Sequence, residues 1–287
     1  MADDQNIADD EGTSGGSRID FGVLGGLIGG VGMIIVGLYM EGSSVQRYWG
    51  PSAGVIVFGG TFGVTMASVG LARFKALPAS FMRALTYAPM QRIGVIKSLV
   101  RFAEKARREG LLVLEDDLRS TQDEFMRRGV QLVVDGTDPE LVKEILRTEV
   151  DSLHEERHQS AKVWAMMGGY APTMGIIGTV IGLVLVLSNI ANPASLAASI
   201  AVAFIATLYG VGSANLIYLP IGSKLEDCAA DEVAGRELMI EGILAIQSGD
   251  NPRIVEEKLV AFLTTSERAK FRASQAVSAD LDLDLAA

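Results

Sequence analysis

The pentapeptide HEERH at 154–158 is the stretch whose residue types most directly suggest catalysis. Two imidazoles four residues apart fall on one helical face with an acid between them. Metallopeptidases use this spacing to hold zinc and supply a general base. The context argues against that chemistry. The chain has two histidines in all, so any further ligand would have to be a carboxylate. The motif lies within DSLHEERHQSAK, a charged and solvated helical face, whereas a water-activating zinc needs a partly dry pocket. The histidines are therefore assigned to an exposed helix surface. No enzymatic activity, catalytic residue, bound metal or cofactor is expected.

Two threonines are the second feature with chemical potential. Thr179 and Thr207 each lie within a long charge-free run. A lone threonine in such a helix normally bonds a carbonyl one turn back. Two hydroxyls at one depth, on neighbouring helices joined by a short turn, point instead to a polar path. Pro172 and Pro220 lie near the other ends of the same two runs. Each removes a backbone donor and can bend its helix.

These residues need membrane helices to position them. The mean hydropathy is positive and 49% of the residues are hydrophobic, too apolar for an ordinary soluble domain. Asp, Glu, Lys and Arg are absent from 21–40, 48–72 and 163–223. About 20 apolar residues cross the hydrocarbon core. The third run is long enough for two crossings, and SNIANPAS at 188–195 divides it. The chain thus reads as all-α and polytopic, with spans at about 21–40, 52–72, 166–187 and 197–219. Sixteen of the 25 Lys and Arg fall in 73–162 and seven follow residue 222, whereas the two outer connections hold only Arg47. This places 73–162 and both termini in the cytoplasm. None of the four spans carries an ionisable group, although cation paths normally contain one despite a cost of about 3 kcal/mol or more. If this chain conducts ions, the titrating carboxylate must come from another chain.

The remaining organisation follows from composition and caps. Residues 1–20 are acidic and Gly/Ser-rich and read as a disordered tail, with no basic segment of the kind that opens a secretory signal. The net charge of −10 gives no hint of nucleic-acid binding, and Cys228 alone implies no disulfide. The cytoplasmic domain, 73–162, reads as amphipathic helices. One at 95–110 has Ile96, Leu99, Val100 and Ala103 on its apolar side and Gly110 as its stop. A second begins after Gly110 and ends at Gly129. A third opens with Asp138 and Pro139 and runs into the third span. Residues 163–222 hold spans three and four, 223–272 form cytoplasmic helices, with Asn251 and Pro252 opening one, and 273–287 read as an unstructured tail. GGLIGGVG at 25–32 lacks nucleotide-loop spacing. Gly25/Gly29, Gly26/Gly30 and Gly178/Gly182 are instead spaced for close helix packing in lipid.

Several stretches together resemble a known family. Two tandem N-terminal spans, a basic cytoplasmic segment, KARREGLLVLEDDL (105–118), APTMGIIGTVIGL, AFIATLYG followed by LP, and ELMIEGILAIQSGDNPRIVEEKL (237–259) are similar to the A subunit of the bacterial flagellar motor stator, the MotA/PomA family. The likeness covers about 20–272. It implies a ring of five A subunits around a dimer of a single-span MotB/PomB-type subunit, which supplies the membrane aspartate and a peptidoglycan-binding domain. Cation flow then turns the ring against the rotor protein FliG in the inner membrane. By the same resemblance, Arg107 and Glu115 match the charged pair that meets rotor charges. Pro172 and Pro220 match two prolines that couple pore to cytoplasmic domain, and Thr207 matches a pore-facing threonine. Thr179 stands where sodium-type stators have threonine and proton-type ones often have alanine, which makes sodium the expected ion. GxxGTVxGL is shared with the ExbB/TolQ proteins, so an energising subunit of an envelope force-transducing complex is the alternative. Those proteins have three spans, whereas both N-terminal runs here are long enough to cross.

Overall fold

The computed structural model describes residues 20–188 and 193–286, and every regular element among them is helical. The N-terminal tail before Asp20, together with most of the turn between the third and fourth spans, lies outside the described residues. In chain order the helices are α1 Phe21–Met40, α2 Pro51–Lys75, α3 Leu77–Thr86, α4 Arg92–Glu109, α5 Leu114–Ser120 and α6 Glu124–Val134. They continue with α7 Pro139–Ser188, α8 Pro193–Ser213, α9 Leu219–Gln247, α10 Pro252–Val260 and α11 Thr265–Ala286. α1, α2, α7 and the stretch Ser199–Gln247 of α8 and α9 are long and apolar enough to cross a membrane; the first three contain the first three expected spans, and the last covers the expected fourth from residue 199 onward. α7 is one helix of 50 residues and does run uninterrupted from Pro139 through the third expected span. Two π-helical turns interrupt the membrane helices: Val55–Gly59 within α2, and Ala214–Tyr218 between α8 and α9. Pro220 follows the second. Widening the ladder just before a residue without an N–H is a common way to keep such a helix continuous.

The chain divides into two compact units, each with its own core. The membrane unit contains 17–87 and 155–229. α3 belongs to it, although the sequence groups these residues with the cytoplasmic domain. The reason is Trp164, whose indole N–H donates to the Ser80 hydroxyl at 2.9 Å while its ring packs on Phe81. Ala84 is fully buried beside it. An indole in an apolar setting needs such an acceptor, and α3 supplies it. α1 begins at Asp20, which accepts from the backbone N–H groups of Gly22 and Val23. Its carboxylate also meets Lys224 at 2.7 Å.

The second unit, which holds most of the expected cytoplasmic residues and is called the cytoplasmic unit after that expectation, contains 88–154 and 230–287. Its core gathers Leu99 and Phe102 of α4, Leu114 of α5, Leu146 of α7, Ile243 of α9 and Leu259 of α10. Ile96, Leu99 and Ala103 are buried as expected and Val100 is half-buried. Gly129, expected to stop a helix, does not. That segment breaks earlier, at 121–123, where the Asp123 side chain caps α6 by accepting from the Met126 N–H at 2.8 Å. Gly129 sits buried inside α6, where a Cβ would fall 2.5 Å from the Ile243 methyl. Its role is close packing rather than termination. The caps at Asp138 and Asn251 form as expected, each accepting from the N–H two residues on. Arg92, 8% exposed, holds Asp231 at 2.5 Å and Glu267 at 3.6 Å. Glu267 also caps α11 by accepting from the Thr264 N–H and hydroxyl. Burial pushes the Glu267 carboxyl up, but these two bonds and the Arg92 charge outweigh it and hold it below the usual range. α11 continues through the segment for which the sequence suggests an unstructured tail; its alanines and leucines favour the helix.

Candidate functional site

The third and fourth spans meet backbone to backbone. A Cβ on Gly175 would fall 2.9 Å from the Ala206 carbonyl oxygen, and one on Gly210 only 2.5 Å from that of Ala171. Gly178 and Gly182 face Ala206 and Ala203 in the same way. Small residues on both helices permit this approach, which dispersion and interhelical polar contacts then stabilise. The Gly178/Gly182 spacing is therefore used as expected. Gly25, Gly26 and Gly29 of α1 are different: among the described residues nothing lies within 4 Å of the space a Cβ would fill.

This close approach brings the two expected path residues together. Thr179 and Thr207 are hydrogen-bonded hydroxyl to hydroxyl, and both are half-buried. Thr179 Oγ1 also lies 3.0 Å from the carbonyl oxygens of Gly175 and Ala203. One hydroxyl has one proton. The consistent arrangement has Thr207 donating to Thr179, and Thr179 donating to one of the two carbonyls. The pair is thus a short polar relay set in a wall of Gly, Ala, Val and Leu, with no charged residue in either span. Pro172 lies inside α7, two turns before Thr179, and Pro220 follows the π turn. Each proline lacks a backbone donor; the helix is widened just before Pro220 but continues unbroken at Pro172.

Three polar features here have no counterpart in the sequence reading. The Tyr209 phenol donates to the Tyr48 carbonyl and accepts from the Gly50 N–H at 3.1 Å, tying α8 to the connection between the first two spans. A tyrosine in an apolar run needs a partner for its O–H, and that was the available signal. Thr61 and Thr65, one turn apart on α2, are fully buried, and their hydroxyls have no hydrogen-bond partner among the described residues. Lys105 pairs with Asp117 at 2.7 Å, closing α4 onto α5 across Gly110.

That ion pair frames the second candidate site. Gly110 has φ of 89°, a conformation that favours glycine. It reverses the chain into a tight turn, Leu111–Val113, so that α4 and α5 form a hairpin. Arg107 and Glu115 stand on its two arms, both exposed and neither ion-paired among the described residues. The structure places them on the same hairpin surface but does not join them to each other. The HEERH motif lies on α7. His158 Nδ1 is 2.9 Å from a carboxylate oxygen of Glu226, and both side chains are about half exposed. This is a surface His–Glu contact between two helices.

Fold and site together define a polytopic helical membrane protein: four candidate spans, two of them packed closely by small residues around a hydroxyl pair. Residues 117–238 match the model of the MotA/TolQ/ExbB proton channel family. Motility protein A of Borreliella burgdorferi is 41% identical over 85% of this chain and 94% of its own length. Chemotaxis protein PomA of Vibrio alginolyticus is 34% identical over 88% and 98% respectively. A solved structure of C. jejuni MotAB is similar with a TM-score of 0.82 and 32% identity, covering 86% of this chain and 97% of that one. The chain therefore belongs to the MotA/PomA family of flagellar stator subunits within that superfamily. It is a multi-pass membrane protein of a family of channel and motor components, not an enzyme.

Proposed function

We propose that this chain is the A subunit of a flagellar stator, in which inward cation flow drives torque on the rotor. The Thr179–Thr207 relay carries this reading, because it puts polar atoms where the spans offer no ionisable group. A hydroxyl pair can hand a cation or proton on, but it cannot bind and release one by titration. The titrating aspartate is therefore assigned to a single-span partner of the MotB/PomB kind, present as a dimer inside a ring of five copies of this chain. The Lys/Arg distribution supports cytoplasmic termini. Arg107 and Glu115 are assigned to the rotor protein FliG, with steering and register as their role, since exposed ion pairs add little stability. Pro172 and Pro220 are assigned to coupling the path to the cytoplasmic unit. Sodium is the proposed ion, on the strength of the Thr179 hydroxyl.

The similarity of whole-length relatives that are motility proteins favours this over an ExbB/TolQ-like role, as does the presence of two N-terminal spans. The test is co-expression with a one-span, aspartate-bearing partner from the same genome. With the partner's plug removed, growth should be inhibited by ion leak, and inhibition should depend on sodium. The chain alone in vesicles should carry no current. Selective current without a partner would overturn the proposal, and leak indifferent to sodium would overturn the ion assignment. Arg107→Glu should impair swimming at normal membrane levels, and Thr179→Ala should change the ion dependence.

A further inference from the structure

Between Arg107 and Glu115 the hairpin apex carries a leucine that the fold does not use. Leu112 is 73% exposed, the highest exposure among large apolar residues of the cytoplasmic unit within the described residues. Its neighbours behave differently: Leu111 and Val113 are half-buried and Leu114 is fully buried. Single exposed apolar side chains are common on protein surfaces. This one is distinguished by its setting. It sits at the tip of a turn shaped by Gly110 and closed by the Lys105–Asp117 pair, so the side chain is presented on a preorganised support. Exposed Arg107 and Arg108 flank it on the α4 arm, and exposed Glu115 and Asp116 on the α5 arm. An apolar centre with a charged rim is the arrangement of an interface anchor, where desolvation at the centre supplies affinity and the rim supplies orientation.

We infer that Leu112 is the apolar anchor of the hairpin's partner contact, and that the partner is a protein surface with an apolar recess between an acidic and a basic patch. The acidic patch would face Arg107 and Arg108, and the basic patch would face Glu115 and Asp116. This rests on the rotor-facing reading above and adds what holds the contact once charge has aligned it. Charge at the rim governs arrival and register, whereas the buried anchor governs residence.

The experiment uses the complete complex in motile cells, with Leu112→Ala, Leu112→Asp and Leu112→Met beside Arg107→Glu combined with Glu115→Lys. Residence of fluorescently tagged complexes at the motor, swimming torque, membrane level and leak from the unplugged complex are measured for each. Leu112→Ala should shorten residence about tenfold, and Leu112→Asp should abolish torque, on the order expected for truncating an interface anchor. Leu112→Met should restore both, while membrane level and leak stay normal throughout. Normal residence and torque for Leu112→Asp, with the charge variant defective, would overturn the anchor and leave the rotor reading standing. If the charge variant is also normal, the rotor reading fails and the anchor with it. A fall in membrane level or leak for Leu112→Ala would overturn the inference by showing a structural role.

Discussion

α1 and the apolar parts of α7 and α8, residues 166–188 and 193–213, are equally free of charge and all contain glycine, yet their glycines do different work. In α7 and α8 the glycines face small residues across a seam so tight that backbone meets backbone. In α1 no residue is buried, and of its glycines only Gly22, beside the capping Asp20 carboxylate, and Gly30, beside the Leu216 side chain, have a described neighbour near enough to feel a methyl group. A small residue lets a helix approach; whether it does depends on what the opposing helix offers. Ala203, Ala206 and Gly210 offer a matching groove, and no helix of the protomer does so for Gly25 or Gly29. The tight seam also has a structural result that α1 lacks. Only helices this close could set the hydroxyls of Thr179 and Thr207 within bonding distance.

The sharpest way to break this comparison is to put one methyl group into the seam. Gly210→Ala would place a carbon 2.5 Å from the Ala171 carbonyl oxygen and 3.0 Å from Gly175 Cα, and backbone atoms cannot rotate away. We expect a loss on the order of 2–3 kcal/mol, the cost of overpacking a close contact. A lowered Tm of the purified complex and non-motile cells would report it. Unchanged Tm would mean the two helices are not apposed in this way.

The two threonine pairs of the membrane unit provide the next test, with opposite signs. Thr179→Val leaves the Thr207 hydroxyl without its partner, at a cost of about 1–2 kcal/mol. Thr65→Val removes a fully buried hydroxyl that has no partner, keeps the side chain's shape, and should stabilise by about 1 kcal/mol. Thermal unfolding of both variants checks the contrast, and two shifts of the same sign would refute it.

Sequence patterns located the spans because a charge-free run of 20 residues has few other uses. They also located the caps at Asp138 and Asn251, where a side chain serves its own backbone two residues away. Shared depth on adjacent helices points to a polar path at Thr179 and Thr207, but their hydrogen bond to each other depends on the glycine seam and could not be read. Other features could not be read, because they depend on residues distant in the chain. Gly129 resembles a helix stop until Ile243 is seen filling the space beside it. That α3 packs with the membrane unit could not be read until Trp164, 84 positions from Ser80, is found bonded to its hydroxyl. The Lys105–Asp117 closure was hidden for another reason: a Lys and an Asp 12 residues apart are ordinary unless Gly110 is known to reverse the chain.

A smaller effect is expected where α1 is tied down. The Lys224 hydrogen bond, followed by the Val23 and Gly22 N–H groups, lowers the Asp20 carboxyl below its usual range, and Asp20 in turn raises Lys224. A lowered acid contributes above its unfolded pKa and loses that contribution as pH falls through the folded value. A raised lysine contributes below its unfolded pKa and loses that contribution as pH rises through the folded one. The tie should therefore hold with little change between roughly pH 4 and 10. Lys224→Gln should speed amide exchange at Gly22 and Val23 across that window. Wild-type protection that already fades within it would show that the pair does not hold the start of α1.

The least disruptive substitutions probe the open side of the comparison. Gly25→Ala and Gly29→Ala add a methyl group to space that the protomer leaves empty, and alanine favours a helix over glycine by up to about 1 kcal/mol. Against lipid the two effects leave stability and swimming at wild-type levels or slightly above, in contrast to the same methyl at Gly210. A marked loss of motility with an unchanged protomer Tm would mean that another chain in the assembled complex occupies this face. The α1 glycines would then serve between subunits the purpose that the α7–α8 glycines serve within one. Because the substitution is the same single methyl in both places, the difference in outcome measures the groove opposite, not the chemistry of the residue introduced.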